Sequence, residues 1–196
     1  MQASLVKILS LLTLSTASFL LATARADIPR AEWEKYFKVS KDKEVSYEAS
    51  ARHPLMNFEM TKIVRYKEDK DGWSRFVGLD DGGPTDGDTE TVWLKTTEKG
   101  RFKKGEDGSL ELLIPFPLKI GQEWKRGDST LKLVRKEDLE VKTGTLKDCL
   151  VIEVTKEAEE GTDKGTEWWA MGHGEVLVKA EMAMGLSVRK KKTIAE

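Results

Sequence analysis

The sequence predicts an all-β fold: an antiparallel meander of about ten short strands forming a strongly curved sheet or half-barrel, with a short N-terminal helix. Three observations carry that expectation. Apolar and polar residues alternate with period two from Val45 onward. Turn signals such as Asp71-Gly72, Asp81-Gly82-Gly83 and Asp107-Gly108 separate the runs. In the segment from Glu175 to Met184, Val176, Val178, Ala180, Met182 and Met184 fall on one face, with Glu175, Lys179 and Glu181 on the other. A sheet that is wet on one side protects its apolar side by curving around it, whereas a two-sheet sandwich, the alternative, covers that side with a second layer.

The chain opens with Lys7, an uncharged run from Ile8 to Leu21, and the small-x-small site Ala24-Arg25-Ala26. This is the layout of a cleavable signal peptide over residues 1–26, because the apolar run is shorter than the roughly 20 residues that span a bilayer. Lipid attachment needs a cysteine at the cut, and Cys149 is the one cysteine of the chain. The expected product is therefore a single β-rich domain over 27–196, free in the periplasm or secreted. It has no membrane span and no internal disulfide.

Between Asp27 and Val39, Trp33, Tyr36 and Phe37 recur at helical spacing, with Pro29 suited to a first turn. Strands are then expected at Val45–Ala51, Phe58–Tyr66, Gly72–Leu79, Thr91–Thr97, Ser109–Ile114, Ser129–Arg135 and Leu139–Lys142. Four more follow at Thr145–Thr155, Gly165–Met171, Glu175–Met184 and Leu186–Lys191. The basic run Arg189-Lys190-Lys191-Lys192 reads as a solvated terminus blunting an edge strand, with contact to anionic headgroups as the functional counterpart.

Cleavage after Ala26 removes Lys7 and Arg25, leaving 31 basic residues against 34 acidic ones. So even a balance leaves nucleic acid out as an expected partner.

Two segments in the second half carry a family resemblance. Phe116-Pro117-Leu118-Lys119-Ile120-Gly121-Gln122-Glu123-Trp124 resembles a Pro-Leu-Lys-x-Gly-x-x-Trp segment. Gly144 to Ile152 resembles a Gly-x-Phe-x-Asp-x-Leu-x-Val strand, and Glu167 to Val176 an aromatic-Ala-Pro-Gly-x-Gly-x-Val turn and strand. Together they resemble the TapB-like family of exported bacterial β proteins, a domain of unknown function, over residues 115–190. The chain departs from that pattern at Met171, where proline is usual, and at His173, where a small aliphatic residue is usual. The resemblance implies a curved antiparallel sheet, loosely like the half-barrels of periplasmic lipoprotein carriers, with no established activity.

Candidate chemistry is sparse. Cys149 lies inside a strand beside Leu150 and Val151, which suits a packed side chain better than a nucleophile at the head of a helix. His173 sits between Gly172 and Gly174 in a tight turn, and two scattered histidines do not make a zinc site. The acidic loop with Asp80, Asp81, Asp86, Asp88 and Glu90 is the candidate calcium site, although its spacing departs from the twelve-residue calcium loop and fits a solvated connection. No cofactor is expected, and with no convergent acid, base and nucleophile, no enzyme.

Six tryptophans are many for 196 residues. Trp93, Trp124, Trp168 and Trp169 are the candidate ligand-binding residues, with Leu133 and Ile152, on a concave face that accepts a hydrophobic ligand such as lipid or an apolar peptide. Adjacent Trp168 and Trp169 must point to opposite faces. The sequence thus leads first to a non-enzymatic structural or interaction protein of the envelope, and second to a carrier for a hydrophobic ligand.

Overall fold

The computed structural model describes residues 28–37, 45–78, 91–105 and 107–194. The expected leader and the acidic loop Asp80–Glu90 lie outside the described residues.

Among the described residues, one helix precedes the sheet. α1 (Arg30–Phe37) starts where the Pro29 carbonyl accepts from the Glu32 and Trp33 amides, and it carries Glu32 in its first turn and Lys35 in its last, both suited to the helix dipole. Its eight residues are too few to hold a helix alone. Packing supplies the rest, because Trp33, Tyr36 and Phe37 are almost completely buried.

Twelve antiparallel strands follow: β1 (Val45–His53), β2 (Met56–Lys70), β3 (Trp73–Val77), β4 (Thr91–Thr97), β5 (Gly100–Lys104) and β6 (Leu110–Pro115), then β7 (Glu123–Arg126), β8 (Ser129–Val141), β9 (Gly144–Ala158), β10 (Gly161–Ala170), β11 (Gly174–Glu181) and β12 (Ser187–Lys192). They form a single sheet in the order β6-β5-β4-β3-β2-β1-β12-β11-β10-β9-β8-β7. The edges, β6 and β7, are therefore consecutive in the chain, and the sheet curls into a nearly closed barrel rather than a two-layer sandwich. Trp124 of β7 bridges the seam, its Nε1 donating to the Leu113 carbonyl of β6 at 2.9 Å.

The count exceeds the expected ten or so for identifiable reasons. β5 and β7 are short and mostly polar, so neither shows an alternating run. β8 reads as two segments in the sequence, but bulges at Leu133/Arg135 and Glu137/Leu139 let it continue as one strand. The last strand is a larger correction: β12 pairs with both β1 and β11 and is no edge. Lys190 is therefore an interior residue, paired with Glu175 at 2.6 Å.

Long β2 turns a corner. Its first part, Met56 to Val64, pairs with β1, and its second, Arg65 to Lys70, pairs with β3. One interior cluster joins α1 to β6–β9 through Trp33, Phe37, Ile114, Phe116, Leu131, Leu133, Leu150 and Ile152. A second, Val64, Phe76, Val92 and Leu94, lines β2–β4. A third, Cys149, Val151, Trp168 and Leu177, lies on the outer face of β9–β11.

Trp33 stacks on Phe116 with ring centroids 3.5 Å apart and planes 13° from parallel. Replacing Trp33 by Ala should cost about 3–5 kcal/mol through lost transfer energy and the cavity left between α1 and the sheet. Urea unfolding of the Trp33→Ala and wild-type proteins checks this, with a midpoint shift at unchanged slope as the expected signature.

Candidate ligand-binding trough

The register places side chains on successive rungs across the inside of the sheet. One rung runs Leu131, Val154, Gly165, Ala180, Val188, Ala51, Phe58, from β8 through β9, β10, β11, β12 and β1 to β2. It has no charged residue. Leu131 is buried under α1, Phe58 is exposed, and the five between are half-buried. Gly165, Ala180 and Ala51 are small, so along this rung the inner face of the curled sheet carries a strip of short, uncharged side chains, termed the trough. The four strand gaps from Val154 to Ala51 measure about 19 Å at ~4.8 Å per gap. A Cβ at Gly165 would meet its neighbours at 3.5 Å or more, ordinary contact, so the floor there has room.

The next rung runs Leu133, Ile152, Glu167, Val178, Lys190, Ala49, Met60. Its two charges are compensated. Glu167 takes Arg126 at 2.5 Å and accepts from Trp169 Nε1 at 3.0 Å, while Lys190 takes Glu175. Burial pulls the Lys190 ammonium down, but Glu175 outweighs it and holds the group above its ordinary value. Burial pushes Arg101 of β5 down to about 10. Arg101 answers by donating to the Phe37 carbonyl at 2.6 Å, at the negative end of α1. Burial, with Glu175 beside it, raises the Tyr47 phenol to about 12, so it stays protonated at neutral pH.

Below that layer α1 seals the interior. Gly172 donates to the Lys35 carbonyl, Tyr36 Oη to the Asp148 carbonyl, and Lys136 pairs with Glu32. Phe37 meets Trp169 at 5.0 Å. Met171, where the family pattern has proline, packs against this same cluster, so a flexible apolar side chain fills space there. At the opposite end, three neighbouring hairpins form a rim. Its tips expose Leu55 (86%), Met56 (67%) and Met184 (60%), and Phe58 stands beside them. Met182 and Met184, expected within a strand, lie in the β11–β12 turn, which the Met182 amide closes by donating to the Leu186 carbonyl.

The four tryptophans singled out from the sequence are not brought together. Trp124 and Trp169 face inward but pack against the α1 cluster, as do Leu133 and Ile152. Trp168 and Trp169 do take opposite faces: Trp168 lies on the outer face, donating to Glu137 Oε1 at 2.6 Å under the Lys179 ammonium. Trp93 is also outside, below Arg75. The trough is lined instead by alanine, glycine and valine. Their signal in the sequence is the small size of alternate residues in β1, Ala49 and Ala51, which periodicity alone treats like any apolar position.

Among the described residues no three histidine, cysteine, aspartate or glutamate side chains cluster as metal ligands. Nor does any helix there have the length and apolarity to cross a membrane. His173 holds the β10–β11 turn, its amide donating to the Ala170 carbonyl and its own carbonyl accepting from Lys192.

No family model matches the chain, and no curated protein matches it. Solved structures with a similar course of chain include a candidate exported protein with a YmcC-like fold from Bacteroides fragilis (11% identity, 80% of this chain and 96% of that one, TM-score 0.48). Another is a candidate lipoprotein from Parabacteroides distasonis (10% identity, 80% and 96%, TM-score 0.46). A LolA superfamily protein from Nitrosomonas europaea is also similar (11% identity, 82% and 89%, TM-score 0.28).

Cys149 is buried among Val151, Trp168 and Leu177, its Sγ donating to the Leu146 carbonyl at 3.6 Å. Burial, then Asp138 and Glu137, raises the thiol to about 11. The folded value lies above the unfolded one, so this contribution to stability is complete below the unfolded pKa and is lost as pH rises toward 11. Iodoacetamide at mildly alkaline pH should leave the native thiol intact and alkylate it fully in denaturant, as read by mass spectrometry. Rapid alkylation of the folded protein would contradict this burial.

Proposed function

We propose that the protein is a non-enzymatic binding module for an apolar chain, such as an acyl chain or apolar peptide, which lies in the trough above α1. The observation that carries this reading is the seven-strand rung Leu131 to Phe58, uncharged throughout and built at its centre from Gly165, Ala180, Val188 and Ala51. Such a surface gains by burying an apolar ligand, at about 25 cal/mol per Å² removed from water. The charges beneath it are paired, so they need no polar partner from the ligand. The same reading takes residues 1–26 as a cleaved leader, places the mature protein in the periplasm or outside the cell, and takes the TapB-like resemblance over 115–190 as kinship.

A second reading, an envelope interaction protein, draws support from the exposed rim residues Leu55, Met56 and Met184. A protein partner would cover these tips without entering the trough.

Filling the trough separates the two. An Ala51→Phe, Ala180→Phe variant should bind a fluorescent fatty-acid probe at least about tenfold more weakly, a loss of about 1.4 kcal/mol. Its melting temperature should change little, because both positions are half-buried and open to solvent. Native mass spectrometry of protein purified from its own host should show co-purifying apolar ligand on the wild type and none on the variant. Probe binding that is absent, or equal in both proteins, refutes the trough as the site and leaves the interaction reading.

A further inference from the structure

On the opposite face of β2–β6 the sequence builds something different. Phe76, Val92 and Leu94 point inward, so their neighbours along β3 and β4 point out. The register then sets Glu68, Arg75, Trp93, Lys104 and Leu110 on one outer rung, and Lys70 beside Trp73 with Lys95 beside Phe102 on the next. Arg65 opposite Val77 completes the face. Among the described residues, Lys70, Arg75, Lys95 and Lys104 thus share it with Glu68, which pairs with Arg75 at 3.0 Å, and with Glu98 at the β4–β5 turn. The whole chain carries a formal charge of −1, so this excess of positive charge is local.

Aromatic and cationic groups alternate here in contact. The Lys95 ammonium lies 5.6 Å from the Trp73 ring centroid, and the Arg75 guanidinium 5.8 Å from that of Trp93. A groove of about 370 Å³ opens between Trp73, Phe102 and Leu110, with Lys95, Lys99 and Glu98 on its walls, and Leu110 is 61% exposed.

We infer that this outer face docks on an anionic lipid surface. The chemistry matches term by term. Tryptophan and the stems of lysine and arginine favour the interfacial zone of a bilayer, ammonium groups take lipid phosphates, and Phe102 and Leu110 offer apolar area to the upper acyl region. Single-stranded nucleic acid would also take cations and rings, but it stacks bases on open ring faces, and a face of Trp73 and one of Trp93 are each covered by a cation. The inference rests on the outer face alone and stands or falls separately from the trough.

Co-sedimentation with vesicles tests it. The wild-type protein should pellet with phosphatidylcholine vesicles containing phosphatidylglycerol, remain free with phosphatidylcholine alone, and be released by salt. Each lysine near such a surface is worth about fivefold in partitioning, so Lys95→Gln with Lys104→Gln should weaken binding about 25-fold. Lys142→Gln with Lys164→Gln, the same change in net charge on other faces, should leave binding unaltered. Equal binding to both vesicle types would assign membrane contact to the apolar rim and overturn the inference. So would equal losses in the two double variants, or preferential capture by a single-stranded oligonucleotide in competition with the vesicles.

Discussion

The structure depends on the mutual burial of α1 and the inside of the sheet. An eight-residue helix does not persist alone, and a strongly curved sheet cannot leave its inner face bare. Each supplies what the other lacks. Trp33, Tyr36 and Phe37 bring three large rings, each contributing about 2 kcal/mol on burial, to a surface of Leu131, Leu133, Leu150 and Ile152. The polar bonds then fix the pose. Arg101 and Gly172 satisfy two carbonyls of the last turn that no helical amide can reach, one donor coming from β5 and the other from the β10–β11 turn.

That docking also decides where the interior is full and where it is not. The helix lies against β8–β10 near the β10–β11 turn, so the rungs there are capped. Two residues further along each strand, beyond its reach, the sequence supplies Gly165, Ala180 and Ala51 in place of large side chains. A curved sheet with small residues at its centre and a plug at one end is concave and apolar toward the other. Leu55, Met56 and Met184 extend that apolar character to the hairpin tips. One end of the barrel is packed, and the other leaves large apolar side chains exposed.

Much of the architecture was legible because period-two alternation reports a half-buried strand, as in β1 and β4. The helix was legible for the same reason at its own period, through Trp33, Tyr36 and Phe37. Alternation fails at irregularities. Between Trp168 and Trp169 the pairing with β11 shifts by one residue, which turns Glu175 inward beside Trp169 and sets Leu177 outward beside Trp168. A reading that put Glu175 with Lys179 on the wet face could not contain that shift, because a bulge has no periodic signature. The site was less legible still. Tryptophan is conspicuous in a sequence and alanine is not, yet a groove is made where side chains end early.

The ion pairs beneath the trough bear on what it can select. Arg101, Arg126 and Lys190 are three cations in a region poor in water, opposed by Glu167, Glu175 and the carbonyl end of α1. Had one cation lacked its partner, the trough would hold a buried charge and would favour an anionic ligand group at a fixed depth. Compensation removes that preference. On the proposed reading, discrimination then falls to shape and apolar area along the rung, and above all to Gly165, Ala51 and Ala180, whose side chains are short. The ammonium groups of Lys70, Lys95 and Lys104 lie instead on the outer face of β2–β6, where water screens them and a surface can reach them. The trough and the cationic outer face thus lie on opposite sides of the sheet, so neither proposed contact would block the other.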